Sequence, residues 1–347
     1  ALLRGLFRKS DKPAKGLGQV FAAGNCKLAA DRIILAKIAE QSMTSISAEM
    51  AGQTNLYAAL RRLASARPDV DLADVLAGCD VETRARLLAV DQGLLRAVMR
   101  RGRGLPAVEG EAAVRAYLAQ VQPELMFRPD PAQAKTLALL TAGQLPEMPA
   151  FSDRAFDAWF AAQGVEYGLG AYAEPRTVYQ TAQFADAASP ERRTIHTGID
   201  VFAPAGTPVY APLAGKVLHL TYQADPLDYG HALILQHDAA GVTFYTLYGH
   251  LAGSLPQLLA VGDQVQPGQL IAHLGDWHEN GGWAAHIHFQ IMTDMLEQRD
   301  GNFFGVGHAS LWDVWQAICI DPNLILRIPG DKFRLDAAER AFPLVER

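Results

Sequence analysis

The sequence is poor in cysteine, with three in 347 residues. Cys26, Cys79 and Cys319 lie far apart and form no C-x-x-C, which argues against both a disulfide framework and a thiolate zinc cage; reduced thiols are expected. A basic excess is also missing. The 31 Lys and Arg stand against 37 Asp and Glu, a net charge of −6, so no general field exists to hold nucleic acid or an anionic membrane. Only the start leans the other way, with Arg4, Arg8, Lys9, Lys12 and Lys15 against Asp11, and residues 1–19 read as a solvated basic tail. No stretch reaches the roughly 18 apolar residues of a membrane span. The opening ALLRGLF is too short an apolar run for a signal peptide and has no small-residue cleavage site. A cytoplasmic protein is therefore expected, although a chain trimmed of an export signal would look the same. No repeat of 20 to 50 residues and no low-complexity tract is visible.

What is present is apolar: half of the residues are hydrophobic, enough for sizeable cores in two ordinary domains. Residues 20–163 read as a helical domain of about six helices, since apolar positions recur at three- and four-residue steps. Leu56, Leu60 and Leu63 form one stripe, Leu87, Leu94, Leu95 and Val98 a second, and Val114, Tyr117, Leu118 and Val121 a third. Asp130-Pro131 and Ser152 look like helix starts, Gly78 and Gly164 like helix stops. Residues 164–193 read as a connector. Beyond it the grammar changes to short β-branched and aromatic runs between turns, as in VYAPLAGKVLHL, HALILQHD and VTFYTLYGHL, which predicts antiparallel sheet. The last residues, 331–347, read as a tail.

No histidine occurs before residue 196, and all ten fall between His196 and His308. Metal chemistry therefore belongs to the β half. In His286-Ile287-His288-Phe289 the side-chain period of a strand puts both imidazoles on one face and Ile287 and Phe289 on the other. Alone, H-x-H equally describes two solvent-facing or hydrogen-bonded histidines. The run His196-Thr197-Gly198-Ile199-Asp200 adds a nitrogen and an oxygen donor four residues apart. An extended chain separates them by roughly 13 Å, whereas two ligands of one zinc sit about 3 to 3.5 Å apart. The chain must bend, and Gly198 is the residue expected to let it. His196, Asp200 and His288 make three ligands without a thiolate, which leaves a fourth position for water and marks a catalytic rather than a structural zinc. His250 and His286 are the candidates for moving protons: either could hold the attacking water or stabilise the tetrahedral oxyanion.

These elements resemble the lysostaphin and LytM-type zinc metallopeptidases, whose marks are H-x-G-x-D, a later Y-x-H and a final H-x-H-F. Here they read His196-Thr197-Gly198-Ile199-Asp200, Tyr248-Gly249-His250 and His286-Ile287-His288-Phe289. Between them, Ala203-Pro204-Ala205-Gly206-Thr207-Pro208-Val209 with Gly215-Lys216-Val217, and Val261-Gly262-Asp263-Gln264-Val265 with Gly268-Gln269, look like that family's hairpins. The resemblance covers about residues 192–293. It implies His196, Asp200 and His288 as zinc ligands, His250 and His286 as catalytic histidines, and an antiparallel β-sandwich with a LytM-like duplicated hybrid motif at 194–330. The whole chain is then α+β, a helical N-terminal domain covering or flanking a metallohydrolase groove. Relatives that have become non-catalytic binding modules have usually lost ligands, and here every one is present. Parts of the same block, including Pro226-Leu227-Asp228-Tyr229-Gly230 and Glu279-Asn280-Gly281-Gly282-Trp283, are similar to the metallopeptidase-like module of bacterial kinase and aminotransferase fusion proteins, which implies small-molecule metabolism.

Three departures blur the substrate. The turn before H-x-H is Asp276 to Ala285 with two tryptophans, the residue after H-x-H-F is Gln290 rather than an acid, and the tyrosine expected shortly before the first ligand has only Tyr179 nearby. His278, Trp283 and Arg193 are the candidate substrate contacts, Arg193 through a substrate carboxylate or through Asp200. The expected function is zinc-dependent hydrolysis of a peptide or related amide bond. An intracellular small-molecule amide hydrolase, or a zinc-holding module whose helical half recruits a protein partner, are the alternatives. A non-haem iron oxygenase also uses two histidines and a carboxylate, but the close H-x-D/E spacing is missing.

Overall fold

A computed structural model of the chain describes residues 46–139, 145, 147–176 and 184–335. The basic tail 1–19, Cys26, Tyr179 and the last residues from 336 lie outside the described residues. The protein is mixed α and β, helical toward the N-terminus and sheet-rich after it. No helix of the described residues is long and apolar enough to cross a membrane.

Side-chain caps set the helix boundaries. Asn55 accepts the Ala58 N–H at 2.9 Å and starts Leu56–Ala66, which buries Leu56, Leu60 and Leu63. Asp71 and Asp74 form a capping box for Leu72–Gly78, which stops at Gly78 as expected. The stripe read through Leu87 and Leu94 is broken. Leu87 lies on Val81–Leu88, whereas Leu94, Leu95 and Val98 lie on Gln92–Gly102, because Asp91 caps a new helix by accepting the Leu94 N–H. Helix Glu111–Gln120 buries Val114 and Leu118. Ser152 precedes Ala155–Ala162 by three residues, and Gly164, at φ +59°, ends it. The expected helix at Asp130-Pro131 is instead a single turn: the Asp130 carboxylate accepts the Ala132 N–H at 2.9 Å and the chain then enters a strand.

That strand, β1 (Thr136–Ala138), and β2 (Tyr167–Gly170) show that segments expected to be helix and connector feed the sheet. They pair in parallel, and β2 runs antiparallel to β4 (Ile199–Phe202). With β6 (Gly215–Gln223), β7 (Gly230–Ala239), β8 (Val242–Leu251), β9 (Gln264–Val265) and β11 (His286–Met292), the sheet order is β1-β2-β4-β11-β8-β7-β6-β9, and β13 (Cys319–Ile320) also pairs with β11. Two ribbons flank it: β3 (Ile195–His196) with β12 (Val306–Gly307), and β5 (Pro208–Tyr210) with β10 (Leu270–His273). Between β7 and β8, Ala240 and Gly241 both adopt positive φ, the geometry of a two-residue hairpin that follows the twist of the strands. Residues 330–333 form a 3₁₀ turn and Leu335 is buried, so the start of the expected tail is packed.

The pleat sorts the cores. Leu233, Leu235, Phe244, Ile287 and Phe289 face a cluster shared with the β5/β10 ribbon, Val114 and Leu118. Ile234, Leu247 and Met292 face the opposite cluster, where Leu56, Leu60, Leu95 and Val98 of the helices meet Trp315. His286 and His288 share the face of Met292, the one the N-terminal helices cover further along the sheet.

Candidate metal centre

Strand pairing assembles the donors. β4 and β11 place His288 directly opposite Asp200, with Gly249 of β8 on its other side, and His196 sits on the neighbouring ribbon β3. Gly198 is required here for space rather than for flexibility. Its φ is not positive; a Cβ at this position would lie 2.5 Å from His288 Cε1 and 2.8 Å from the Phe289 carbonyl oxygen. The bend expected from glycine is thus a cradle for the imidazole.

His196 Nε2 lies 3.0 Å from His288 Nδ1 and 3.3 Å from Asp200 Oδ1, and His288 Nδ1 lies 3.2 Å from that same oxygen. All three side chains are buried. The partners on their outer sides fix the proton positions. His196 Nδ1 is 2.8 Å from the Ala171 carbonyl, an acceptor only, so Nδ1 carries the hydrogen and Nε2 the lone pair. His288 Nε2 is 2.9 Å from Gln290 Oε1, whose amide orientation follows from donation to the Phe304 carbonyl, so His288 donates there and keeps its lone pair on Nδ1. Two imidazole nitrogens and a carboxylate oxygen therefore face one another within hydrogen-bond distance. Two imidazoles and a carboxylate aimed at one point are a donor set that could hold a divalent cation.

Electrostatics maintain this state. Burial pushes His196 down to about 4, helped by the Arg176 cation, so it stays neutral. Burial alone would raise Asp200, but Arg176, His196 and His288 outweigh it and hold the carboxyl well below the usual range. Arg176 is the main agent, with its NH1 2.7 Å from Asp200 Oδ2. Its other side faces Glu174 at 3.4 Å.

His250 and His286 stand beside the triangle, their rings 4.2 Å apart. His250 donates Nδ1–H to the Asn280 carbonyl at 2.8 Å and His286 to the Ala284 carbonyl at 2.7 Å, which turns both Nε2 lone pairs away from those carbonyls. Burial lowers the pKa of both. His250 adopts φ +62°, a costly backbone for a non-glycine residue, held by its N–H bonding Tyr229 O and its O accepting from Gly275. Asn280 knits the preceding loop: its amide donates to Gly275 O and Trp283 O while its Oδ1 accepts from Gly282 N–H and Trp283 N–H. Gly281 permits that loop, since at φ +88° its Cβ would meet Asp228 O at 1.9 Å.

Asp200, His250, His286 and His288 line a cavity of about 330 Å³, joined by Trp283 and Arg193. His278 is not brought there: its side chain is exposed beside Asp276 and borders none of the cavity. Trp277 instead bonds Asp157 through Nε1 at 2.7 Å. Leu227, Asp228 and Tyr229 of the quoted Pro226–Gly230 motif line the cavity, whereas sequence reasoning missed Arg176, Phe184 and the 302–306 loop. No motif marks them, because each comes to the site through tertiary packing; the pairing of Gln290 with a ligand was signalled only by its departure from an acid.

Residues 194–300 match the family model described as peptidase family M23. Over 94 residues the chain is 35% identical to YgeR, an uncharacterized lipoprotein of Escherichia coli strain K12, covering 27% of this chain and 33% of that protein. Over 96 residues it is 34% identical to the DD-carboxypeptidase/endopeptidase Mpg of Neisseria meningitidis serogroup B, covering 28% of this chain and 20% of that protein. The chain thus spans about a third or less of the length of these curated relatives. Among solved structures, the catalytic domain of lysostaphin from Staphylococcus simulans aligns at 23% identity and TM-score 0.31, covering 49% of this chain and 96% of that domain. The stretch 194–300 that matches peptidase family M23 holds the H-x-G-x-D, Y-x-H and H-x-H-F elements, so the candidate metal centre lies within the part of the chain that is similar to that family.

Proposed function

We propose that the chain is a zinc-dependent hydrolase of a peptide or related amide bond, with His196, Asp200 and His288 as ligands and His250 and His286 as catalytic histidines. The observation that carries this reading is the convergence of two imidazole lone pairs and a carboxylate oxygen within 3.0 to 3.3 Å of one another. A zinc ion held there would polarise a carbonyl and bring the pKa of a water down toward neutrality. The chain's own groups do the rest. His250 and His286, anchored through Nδ1–H, can each take a proton at Nε2 or give one to the oxygen that gains charge. Arg176 keeps Asp200 ionised, and Gln290 fixes the ring of His288. The cavity of about 330 Å³ beside these residues has room for a small amide, such as a short peptide or a metabolite. The reading carries with it a β-sandwich with a duplicated hybrid motif, which the packing of the β5/β10 ribbon on the main sheet supports.

His288→Ala should lose the metal, whereas His250→Ala should keep it and lose rate. Zinc content of the purified proteins, with initial rates on peptide and amide libraries, makes the comparison. Equal zinc in wild type and His288→Ala would overturn the ligand assignment. Full zinc with no hydrolysis of any library member would favour a zinc-holding interaction module instead.

A further inference from the structure

The helical half reaches the cavity wall through one carboxylate. Asp91, which starts helix Gln92–Gly102, accepts the Leu94 N–H at 2.9 Å through Oδ1. Its other oxygen, Oδ2, accepts the Glu297 N–H at 3.1 Å and the Gln298 side-chain amide at 2.7 Å, from a segment 206 and 207 residues further along the chain. Gln298, Asp300 and residues 302–306 line the cavity, so the segment that Asp91 holds is a strap forming one of its walls.

The strap is seated on the helix as well as bonded to it. The φ of Gly93 is not positive, but a Cβ there would lie 2.9 Å from Leu296 Cα and 3.0 Å from Leu296 Cβ. Glycine is thus required for the close approach. Leu296 itself takes φ +52°, a costly backbone for a non-glycine residue that persists only where its surroundings impose it. Arg96 pairs with Glu297, and Phe303 is buried in the same cluster as Leu95 and Val98 of this helix. At its far end the strap meets the metal centre: the Phe304 carbonyl accepts from Gln290 Nε2 at 3.2 Å, and Gln290 fixes His288. The segment that brings Phe184 to the wall is tied to the helices too, since Ala188 O accepts the Leu56 N–H and Asp186 accepts the Tyr57 hydroxyl, each at 2.7 Å. The candidate ligands themselves sit on β3, β4 and β11 and take none of these bonds.

Resting on the hydrolase reading, we infer that Asp91 is a positioning residue: it fixes the 294–304 strap and so sets the width of the cavity beside the metal. The helical half then selects ligands by size without touching them. A ligand that reaches only the metal is indifferent to Asp91, whereas one that fills the cavity is not.

The test uses the full chain and two variants that keep the helix. Asp91→Asn retains an oxygen for the Leu94 N–H, and asparagine caps helices as well as aspartate, but its NH₂ group faces the two donors of the strap. Gly93→Ala favours the helix and wedges the strap away from it. Hydrogen exchange of the metal-free proteins should quicken over 294–306 in both variants and stay unchanged over 92–102. With zinc loaded, calorimetry measures binding of acetohydroxamate, which reaches only the metal, and of benzohydroxamate, whose ring extends into the cavity. Benzohydroxamate should bind both variants roughly 2- to 30-fold more weakly than wild type, the effect of a residue that acts through packed neighbours. Acetohydroxamate should bind all three proteins alike. Unchanged exchange over 294–306, or an equal change for the two hydroxamates, none included, overturns the inference. A wild type that takes up no zinc removes the hydrolase reading, and the exchange comparison still decides whether Asp91 holds the strap.

Discussion

Replacing Gly198 with alanine adds one methyl group at the point where the metal-site geometry is tightest. The new Cβ would lie 2.5 Å from His288 Cε1, 2.7 Å from His288 Nε2 and 2.8 Å from the Phe289 carbonyl oxygen. The last of these is backbone in the sheet, so the chain at residue 198 must shift, and the imidazole must give by about 1 Å to restore an ordinary contact. A zinc ligand tolerates about 0.2 Å of displacement from its bond length. His288 is also tied at Nε2 to Gln290, so the retreat breaks that bond as well. We expect zinc affinity to fall by at least about 10- to 100-fold, and the metal-free chain to lose roughly 1–3 kcal/mol through overpacking. Competition with a chromogenic chelator measures the first and urea unfolding without metal the second. A Gly198→Ala protein with wild-type zinc affinity and wild-type unfolding would show that the cradle does not set the position of His288.

Two further outcomes follow from buried groups away from the metal. His237 donates its Nδ1–H to Ala214 O and meets Thr246 Oγ1 through Nε2, and burial pushes its pKa down to about 4. Its folded pKa is below the unfolded value, so the unfolded chain binds the proton first and stability is lost as pH falls from about 6.5 toward 4. Wild type should lose about 2 kcal/mol more than His237→Gln between pH 7 and pH 5; parallel pH dependence in urea unfolding would refute this. Tyr57→Phe removes the hydroxyl that reaches the buried Asp186, and should cost about 1.5–3 kcal/mol in thermal or urea unfolding, since the acceptor is charged. An unchanged midpoint would mean that Asp186 recovers an equivalent donor.

That His196, Asp200 and His288 would cluster was legible because strand periodicity is local: H-x-H fixes a shared face whatever surrounds it, and H-x-G-x-D needs only one ribbon step to bring its ends together. The helical stripes were legible for the same reason, except where Asp91 starts a new helix inside a stripe that keeps its spacing. The single turn at Asp130 shows the limit of capping signals: the side chain does cap, but the next residues pair with β2 instead of continuing a helix. Arg176, Phe184 and the 302–306 loop carry no local pattern. Arg176 is placed by the Pro175–Ile195 bridge and its N–H bond to Thr194 O, Phe184 by accepting the Arg193 N–H, and the 302–306 loop by the pairing of β12 with β3, contacts that composition does not encode.

The pairing of His288 with Asp200 across β11 and β4 would make an ion held between them a reporter of correct assembly. A slip of one residue between these strands would set Ile287 or Phe289 against Asp200 and rotate both imidazoles into the apolar layer beneath. Such an isomer has no coordination sphere to offer. If the proposed triad holds zinc, loading with the ion would separate correctly threaded molecules from misregistered ones, and the same three residues would proofread the sheet that carries them.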